Sequence, residues 1–267
     1  MIEPEIVEKV QKLIRLTELK QDVRVLLAVE SGSRAWGFSS RDSDYDVRFV
    51  YIQRKEWYLT IDLESKRDVI ERPIEELIDL SGWDIRKALR LFARANPPLI
   101  EWLSSPIVYK DEGSFRSELE GLLHLYYEPR SCMYHYMHMA ERNYRDYLKG
   151  PVVWIKKYLY VLRPVLAINW IEQNRGPVPM EFNRLLVTIE EHGPLINEIA
   201  QLVDRKRKGD ELDRGPENPT IGKFISDEMN RHAEKRLQKA FKAPDYAPLQ
   251  AMFIKMLENA WNGSATT

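Results

Sequence analysis

The stretch 31-SGSRAWGFSSRDSDYDVRFVY-51 holds the strongest structural signal in this chain, because a short polar linker in it separates two strands of different character. Leading into it, 23-VRVLLAVE-30 is an apolar run rich in branched residues, which predicts a buried strand that ends at Gly32. After the linker, 44-DYDVRFVYI-52 alternates: Tyr45, Val47 and Phe49 fall on one face, Asp44, Asp46 and Arg48 on the other. Gly32 has no Cβ to keep an anion away from the backbone amides, and Ser33 offers both an amide and a hydroxyl to phosphate oxygens. Side chains two apart on a strand share a face at roughly 6 to 7 Å, so Asp44 and Asp46 can share hard divalent cations. Without a cation the two carboxylates repel each other. A Gly-Ser turn or a D-x-D pair alone is usually structural. Ten residues between the two, with an apolar strand on each side, make a far more specific arrangement.

Outward from this stretch, Ile6, Val10, Leu13, Ile14 and Thr17 recur at helical spacing and predict an amphipathic helix over 5–20. A third strand is expected to contain 77-LIDL-80, with Gly82 and Asp84 supplying a turn and a helix start before 85-IRKALRLFARA-95. From about residue 112 the pattern becomes helical, at 114–125, 130–149, 152–172, 180–191, 194–208, 223–241 and 246–261. The stretch 209-GDELDRGPENPT-220 reads as a loop and 262-NGSATT-267 as a frayed tail. The expected fold is α/β (α+β): a small mixed-sheet domain at 1–111 followed by a helical domain at 112–267.

Composition narrows the function classes. Forty Lys+Arg against 41 Asp+Glu leave a net charge of −1, so any contact with a polynucleotide must come from a local basic patch. The single cysteine, Cys132, excludes an intrachain disulfide framework and fits a reducing, cytoplasmic compartment. The acidic, amphipathic start lacks the long apolar core of a signal peptide. The most apolar stretch, 152–171, contains Lys156, Lys157 and Arg163 and reads as a buried helix of a soluble protein, not a membrane span.

Several side chains outside the D-x-D pair carry candidate chemistry. Asp79 lies between Ile78 and Leu80 in an apolar strand, where an uncompensated charge is expensive, so a partner such as a metal is expected. Asp84 directly precedes a helical pattern and is more simply a cap. Arg48 shares the face of Asp44 and Asp46, where it can offset their repulsion or contact phosphate; Arg34 follows the Gly-Ser turn and Arg41 lies in the linker, both as further phosphate contacts. Lys156, Tyr160 and Arg163 fall on one stripe of the apolar helix, which favours Lys156 over Lys157 as an anion contact. Pro164 is expected to kink that helix by removing an amide donor. His138, Arg142, Arg145 and Lys149 form a second basic stripe, and 205-RKRK-208 reads as a charged helix end. Cys132, His135 and His138 match no strong zinc spacing.

The order G-S, D-x-D, then a distant strand carboxylate resembles the nucleotidyltransferase superfamily that includes DNA polymerase beta. Within it, G-S-R-A-W-G (32–37), S-D-Y-D-V-R (43–48), G-W-D-I-R-K (82–87), N-P (96–97), E-W-L-S-S-P-I-V-Y (101–109) and K-K-Y-L-Y-x-L-R-P (156–164) are similar to the RNA-repair-pathway, RNA-ligase-associated RlaP family. The resemblance implies a catalytic domain at 1–111 and two Mg²⁺ ions, with Mn²⁺ as a substitute, held by Asp44, Asp46 and Asp79. It further implies a nucleoside triphosphate donor contacted by Gly32, Ser33, Arg34, Arg48, Lys156, Tyr160 and Arg163. The implied reaction is transfer of a nucleoside monophosphate to a hydroxyl, foremost at an RNA end, with pyrophosphate leaving. A protein or small-molecule hydroxyl as acceptor, or a catalytically silent nucleotide sensor on the same fold, are the competing readings.

Overall fold

The computed structural model describes residues 2–189, 193–209, 213–234 and 243–261. In chain order its elements are α1 (Pro4–Gln21), β1 (Arg24–Glu30), α2 (Gly32–Trp36), β2 (Tyr45–Ile52), α3 (Lys55–Tyr58), β3 (Val69–Glu71), β4 (Ile78–Asp84), α4 (Ile85–Phe92), α5 (Pro97–Leu103), β5 (Val108–Asp111) and α6 (Phe115–Tyr126). There follow α7 (Pro129–Tyr147), β6 (Val152–Trp154), α8 (Tyr158–Glu172), α9 (Phe182–Leu185), α10 (Pro194–Lys208), β7 (Arg214–Pro216), α11 (Pro219–Glu234) and α12 (Ala247–Trp261). The described residues of Met1–Ala35, Asp44–Tyr127 and Ala243–Thr267 form one compact unit; those of Trp36–Ser43 and Glu128–Lys242 form a second.

In the first unit a five-stranded sheet runs β3-β4-β2-β1-β5, with β2 and β4 parallel and the other neighbours antiparallel. Strand β1 is buried from Val25 to Glu30, as its continuous apolar run requires of a central strand. Helix α1 packs through Val10 and Ile14 onto Val25, Val47, Phe49, Tyr51 and Leu80. Gly82 does not make the expected turn: β4 continues through it to Asp84, paired with β2, and position 82 is glycine because a Cβ there would stand 2.3 Å from the Phe49 ring of that strand. Asp84 is the helix cap predicted, accepting the Arg86 amide at 2.8 Å. Asn96 caps α5 in the same way, which gives the N-P motif a structural task.

The units do not follow the expected cut between residues 111 and 112. Helix α6 packs on β1 and α5, and α12 packs on α4 and α6, so both belong to the sheet-bearing unit. Conversely, 36–43 belongs to the helical unit.

In that second unit α8 is the core helix: every residue from Tyr158 to Ile171 is buried except Tyr160. Helices α7, α9 and α11 pack against it. The helix expected over 152–172 begins only at Tyr158. Residues 152–154 instead pair with β7, which lies inside the stretch read as a loop, and Ile155–Lys157 form a 3-10 turn. Pro164 sits inside α8 and cannot donate to the Tyr160 carbonyl one turn back; Asn143 Nδ2 of α7 donates to that oxygen instead, at 3.2 Å. The expected tail at 262–267 and the end of the helix expected at 223–241 lie outside the described residues.

Candidate active site

Strand β1 ends, and β2 and β4 begin, at one end of the sheet, and this gathers the predicted carboxylates. Parallel pairing sets Asp46 directly opposite Asp79. The alternation along β2 holds: Val47 and Phe49 enter the core, while Asp46 and Arg48 turn to the other face. Gly32 adopts φ +57°, and a Cβ there would stand 1.9 Å from Asp46 Oδ2. Both its left-handed backbone and the carboxylate resting on it therefore require glycine. The Ser31 amide completes the contact by donating to the Asp46 carbonyl at 2.8 Å, and Ser33 is buried in the short helix that follows.

Arg48 joins the two acids. Its Nη2 lies 3.0 Å from Asp46 Oδ1 and 2.7 Å from Asp79 Oδ2, and its Nη1 donates to the carbonyls of Val47 and Asp79 at 3.1 and 3.0 Å. The compensating partner expected for Asp79 is thus present within the protein. The side chains of Asp46 and Asp79 remain 28% and 32% exposed, so both carboxylates stay reachable by a ligand. Burial raises the Asp46 pKa despite Arg48, with Asp79 and Asp44 adding to the rise. Asp44, expected within the strand, is exposed just before β2, and its carbonyl accepts from Arg34 Nε at 3.1 Å while the Arg34 guanidinium lies 3.7 Å over the Tyr45 ring.

Among the described residues no three His, Cys, Asp or Glu side chains stand close enough together to enclose a metal ion, and Arg48 bridges Asp46 and Asp79. The donor set nevertheless suits a hard cation. Magnesium is usually bound through one or two carboxylates, with water and substrate phosphates completing the shell.

Sequence reasoning missed Glu30. This carboxylate is fully buried at the end of β1; its Oε1 accepts the Asp46 amide at 2.7 Å and its Oε2 accepts the Tyr109 hydroxyl. Burial pushes its pKa up to about 7. Ser105 Oγ donates to the Glu30 carbonyl at 2.6 Å, so residues of the 101–109 motif clamp the strand end that positions Asp46. The available signal was an acid closing an otherwise apolar run two residues before Gly32.

The helical unit rearranges the second set of candidates. Lys157, not Lys156, lies over the Tyr160 ring, at 4.5 Å: Lys157 caps α8 in helical conformation, and residues three apart share a side of a helix. Lys156 pairs with Asp213 at 3.5 Å and approaches Trp154. Arg163 is only 2% exposed; it donates to the Met180 carbonyl at 3.2 Å and lies 4.7 Å over Trp36, so it does not share a surface stripe with Lys156. His138, Arg142, Arg145 and Lys149 lie on an exposed face, with His138 beside Glu141 and Arg145 beside Asp146.

The RlaP family model, described as RNA repair pathway DNA polymerase beta family, matches residues 6–255. The chain belongs to that family. It is a polymerase-beta-like nucleotidyltransferase by family. It is 46% identical over 250 residues to "Uncharacterized protein YcgL" of Bacillus subtilis (strain 168), covering 93% of this chain and 95% of that one. A solved nucleotidyltransferase-like protein from Exiguobacterium sibiricum 255-15 aligns at 11% identity over 94% of this chain and 90% of that one, with a TM-score of 0.31. Among the described residues no helix is long and apolar enough to cross a membrane.

Proposed function

We propose that the protein moves a nucleoside monophosphate from a nucleoside triphosphate to an acceptor hydroxyl, foremost at an RNA end, with pyrophosphate leaving. The observation that carries this reading is the in-register pair Asp46 and Asp79, with Asp46 seated on Gly32. Asp44, Asp46 and Asp79 would hold Mg²⁺, two ions with Mn²⁺ as a substitute. Bound there, the metal supplies Lewis-acid polarisation of phosphate and lowers the pKa of the attacking hydroxyl. In this reading Asp44 and Asp46 serve the donor side and Asp79 serves the acceptor side. Arg48 offsets the repulsion between Asp46 and Asp79 and restrains both side chains. Glu30 holds the Asp46 amide, fixing the start of β2. Gly32 leaves room for phosphate beside the backbone, and Ser33 offers its amide and hydroxyl. The preference for RNA rests on the family description alone.

The test is incubation of the protein and its Asp46→Asn variant with Mg²⁺ or Mn²⁺, each labelled triphosphate, and RNA, protein or small-molecule acceptors in separate reactions. Wild type should label RNA, and Asp46→Asn should keep its melting transition while losing transfer. Label appearing only in protein or a small molecule would move the acceptor assignment. Triphosphate binding without transfer to any acceptor would favour the sensor reading.

A further inference from the structure

Helix α7 carries a basic face that packing does not account for. Arg130, Tyr134, His138, Arg142, Arg145 and Lys149 recur every three or four residues, with Lys149 just past the helix end. At roughly 100° per residue they occupy about a third of the helix circumference, and the side chains that enter the core, Cys132, Tyr136 and Ala140 among them, lie opposite. Arg130, His138, Arg142, Arg145 and Lys149 are exposed; Tyr134 is half-buried, its ring edge-on to His138 with centroids 4.2 Å apart. The acids nearby are already engaged. Glu141 stands 3.3 Å from His138 Nδ1 and Asp146 3.1 Å from Arg145 Nε, while the Glu128 carboxylate accepts the Arg130 and Ser131 amides at 3.3 and 2.6 Å. Among the described residues Arg130, Arg142 and Lys149 have no carboxylate partner. The helix dipole accounts for Arg145 and Lys149 near its negative end, but it disfavours Arg130 at the positive end and does not reach Arg142, outside the last turn. Across 128–242 basic residues outnumber acidic ones, against a net charge of −1 for the whole chain, so positive charge is concentrated in the helical unit.

We propose that this face of α7 binds a single-stranded polynucleotide, with Arg130, Arg142, Arg145 and Lys149 on its phosphates and Tyr134 and His138 offering ring surface to its bases. Three of these four cations are arginines, whose planar forks match phosphate oxygens and also stack on bases. Rings set between cations suit a chain whose bases are unpaired, because a duplex hides the faces of its bases. From Arg130 to Arg145 the helix rises roughly 22 Å, room for about four nucleotides, the short end of single-strand sites. A membrane surface is the poorer match: among the described residues none of the exposed large apolar side chains lies on α7 to enter a lipid layer. An acidic protein segment would answer the charges and leave the rings idle. The face belongs wholly to the helical unit, and binding there does not require the transfer reaction.

The experiment is fluorescence anisotropy of a labelled single-stranded RNA of mixed sequence, about 12 nucleotides long, titrated with the full chain in a chelator at several salt concentrations. Arg130→Gln and Arg142→Gln should each weaken binding by about three- to tenfold and lower the slope of log affinity against log salt by about 0.7. Tyr134→Leu should weaken binding by about fivefold or more with the slope unchanged, and Tyr134→Phe, which keeps the ring, should match wild type. Arg184→Gln and Lys223→Gln, exposed cations elsewhere in the same unit, should also match wild type. Melting transitions recorded for every variant confirm that folded proteins are compared. Unchanged affinity and slope in folded Arg130→Gln and Arg142→Gln, equal losses in the two control variants, or binding of an RNA duplex, polyglutamate or phosphatidylserine vesicles as tight as that of the single strand each overturns the proposal. Asp46→Asn should bind the RNA like wild type. RNA held through Arg142 by a protein that transfers nothing keeps the face and refutes the reaction; transfer to RNA that is indifferent to Arg130 and Arg142 in both binding and turnover keeps the reaction and refutes the face.

Discussion

Gly32→Ala isolates the seat of Asp46 from ordinary backbone strain. At φ +57° an alanine pays about 1–2 kcal/mol for the left-handed conformation. Its Cβ would also lie 1.9 Å from Asp46 Oδ2 and 2.7 Å from Cγ, far inside van der Waals contact, so the carboxylate must swing by more than an ångström. Asp46 is partly exposed and can swing, which keeps the stability loss near the strain value but breaks the 3.0 Å contact with Arg48. Two other glycines calibrate the result. Gly37 has φ +86° and open space around it, so Gly37→Ala carries similar strain without moving a carboxylate. Gly82→Ala meets the Phe49 ring at 2.3 Å and should lose stability through core overpacking of about 1–3 kcal/mol, leaving Asp46 in place. Urea unfolding and nucleotidyl transfer on the three variants separate the effects. Gly32→Ala should unfold like Gly37→Ala yet lose about 10²-fold or more in turnover. Equal turnover for these two variants would refute the argument that Gly32 exists to seat Asp46.

Asp79→Asn should bind Mg²⁺-triphosphate with nearly unchanged affinity and lose on the order of 10²-fold in turnover, if Asp79 serves only the attacking hydroxyl. Triphosphate affinity, melting temperature and turnover measured on one preparation decide this, and a stable variant with undiminished turnover sinks the assignment. The pH dependence of stability should carry a signature of Glu30, whose carboxyl is pushed up to about 7 in the fold from an ordinary value of 4.5. A folded pKa above the unfolded one means stability that is fully present below about 4.5 and is lost as pH rises through about 7. Glu30→Gln should remove that slope from the urea midpoint; identical slopes in wild type and variant would show that Glu30 does not titrate in this window.

The first unit was legible where local periodicity and tertiary need agree. The alternation of β2 placed Asp46 and Arg48 on one face, and the polar position before α4 made Asp84 a cap. Gly82 misled because its reason is an aromatic ring on another strand, which no local pattern announces. β3 and β5 were missed because a three- or four-residue edge strand offers too few positions for a period. In the helical unit, a 3.6-residue period applied from Lys156 onward assumed helix where β6 and a 3-10 turn stand, and this exchanged the places of Lys156 and Lys157.

Pro164 turns a bond that would run along a helix into one that runs across to its neighbour. With Asn143 supplying the donor to the Tyr160 carbonyl, α7 and α8 are fixed in axial register at the level of Tyr160. A slide of either helix by a single residue would break that bond, at a cost of about 0.5–1.5 kcal/mol. The pair is thereby stiffened against the shear by which packed helices usually accommodate strain. The backbone that carries Tyr160 is consequently braced from α7 as well as by its own helix.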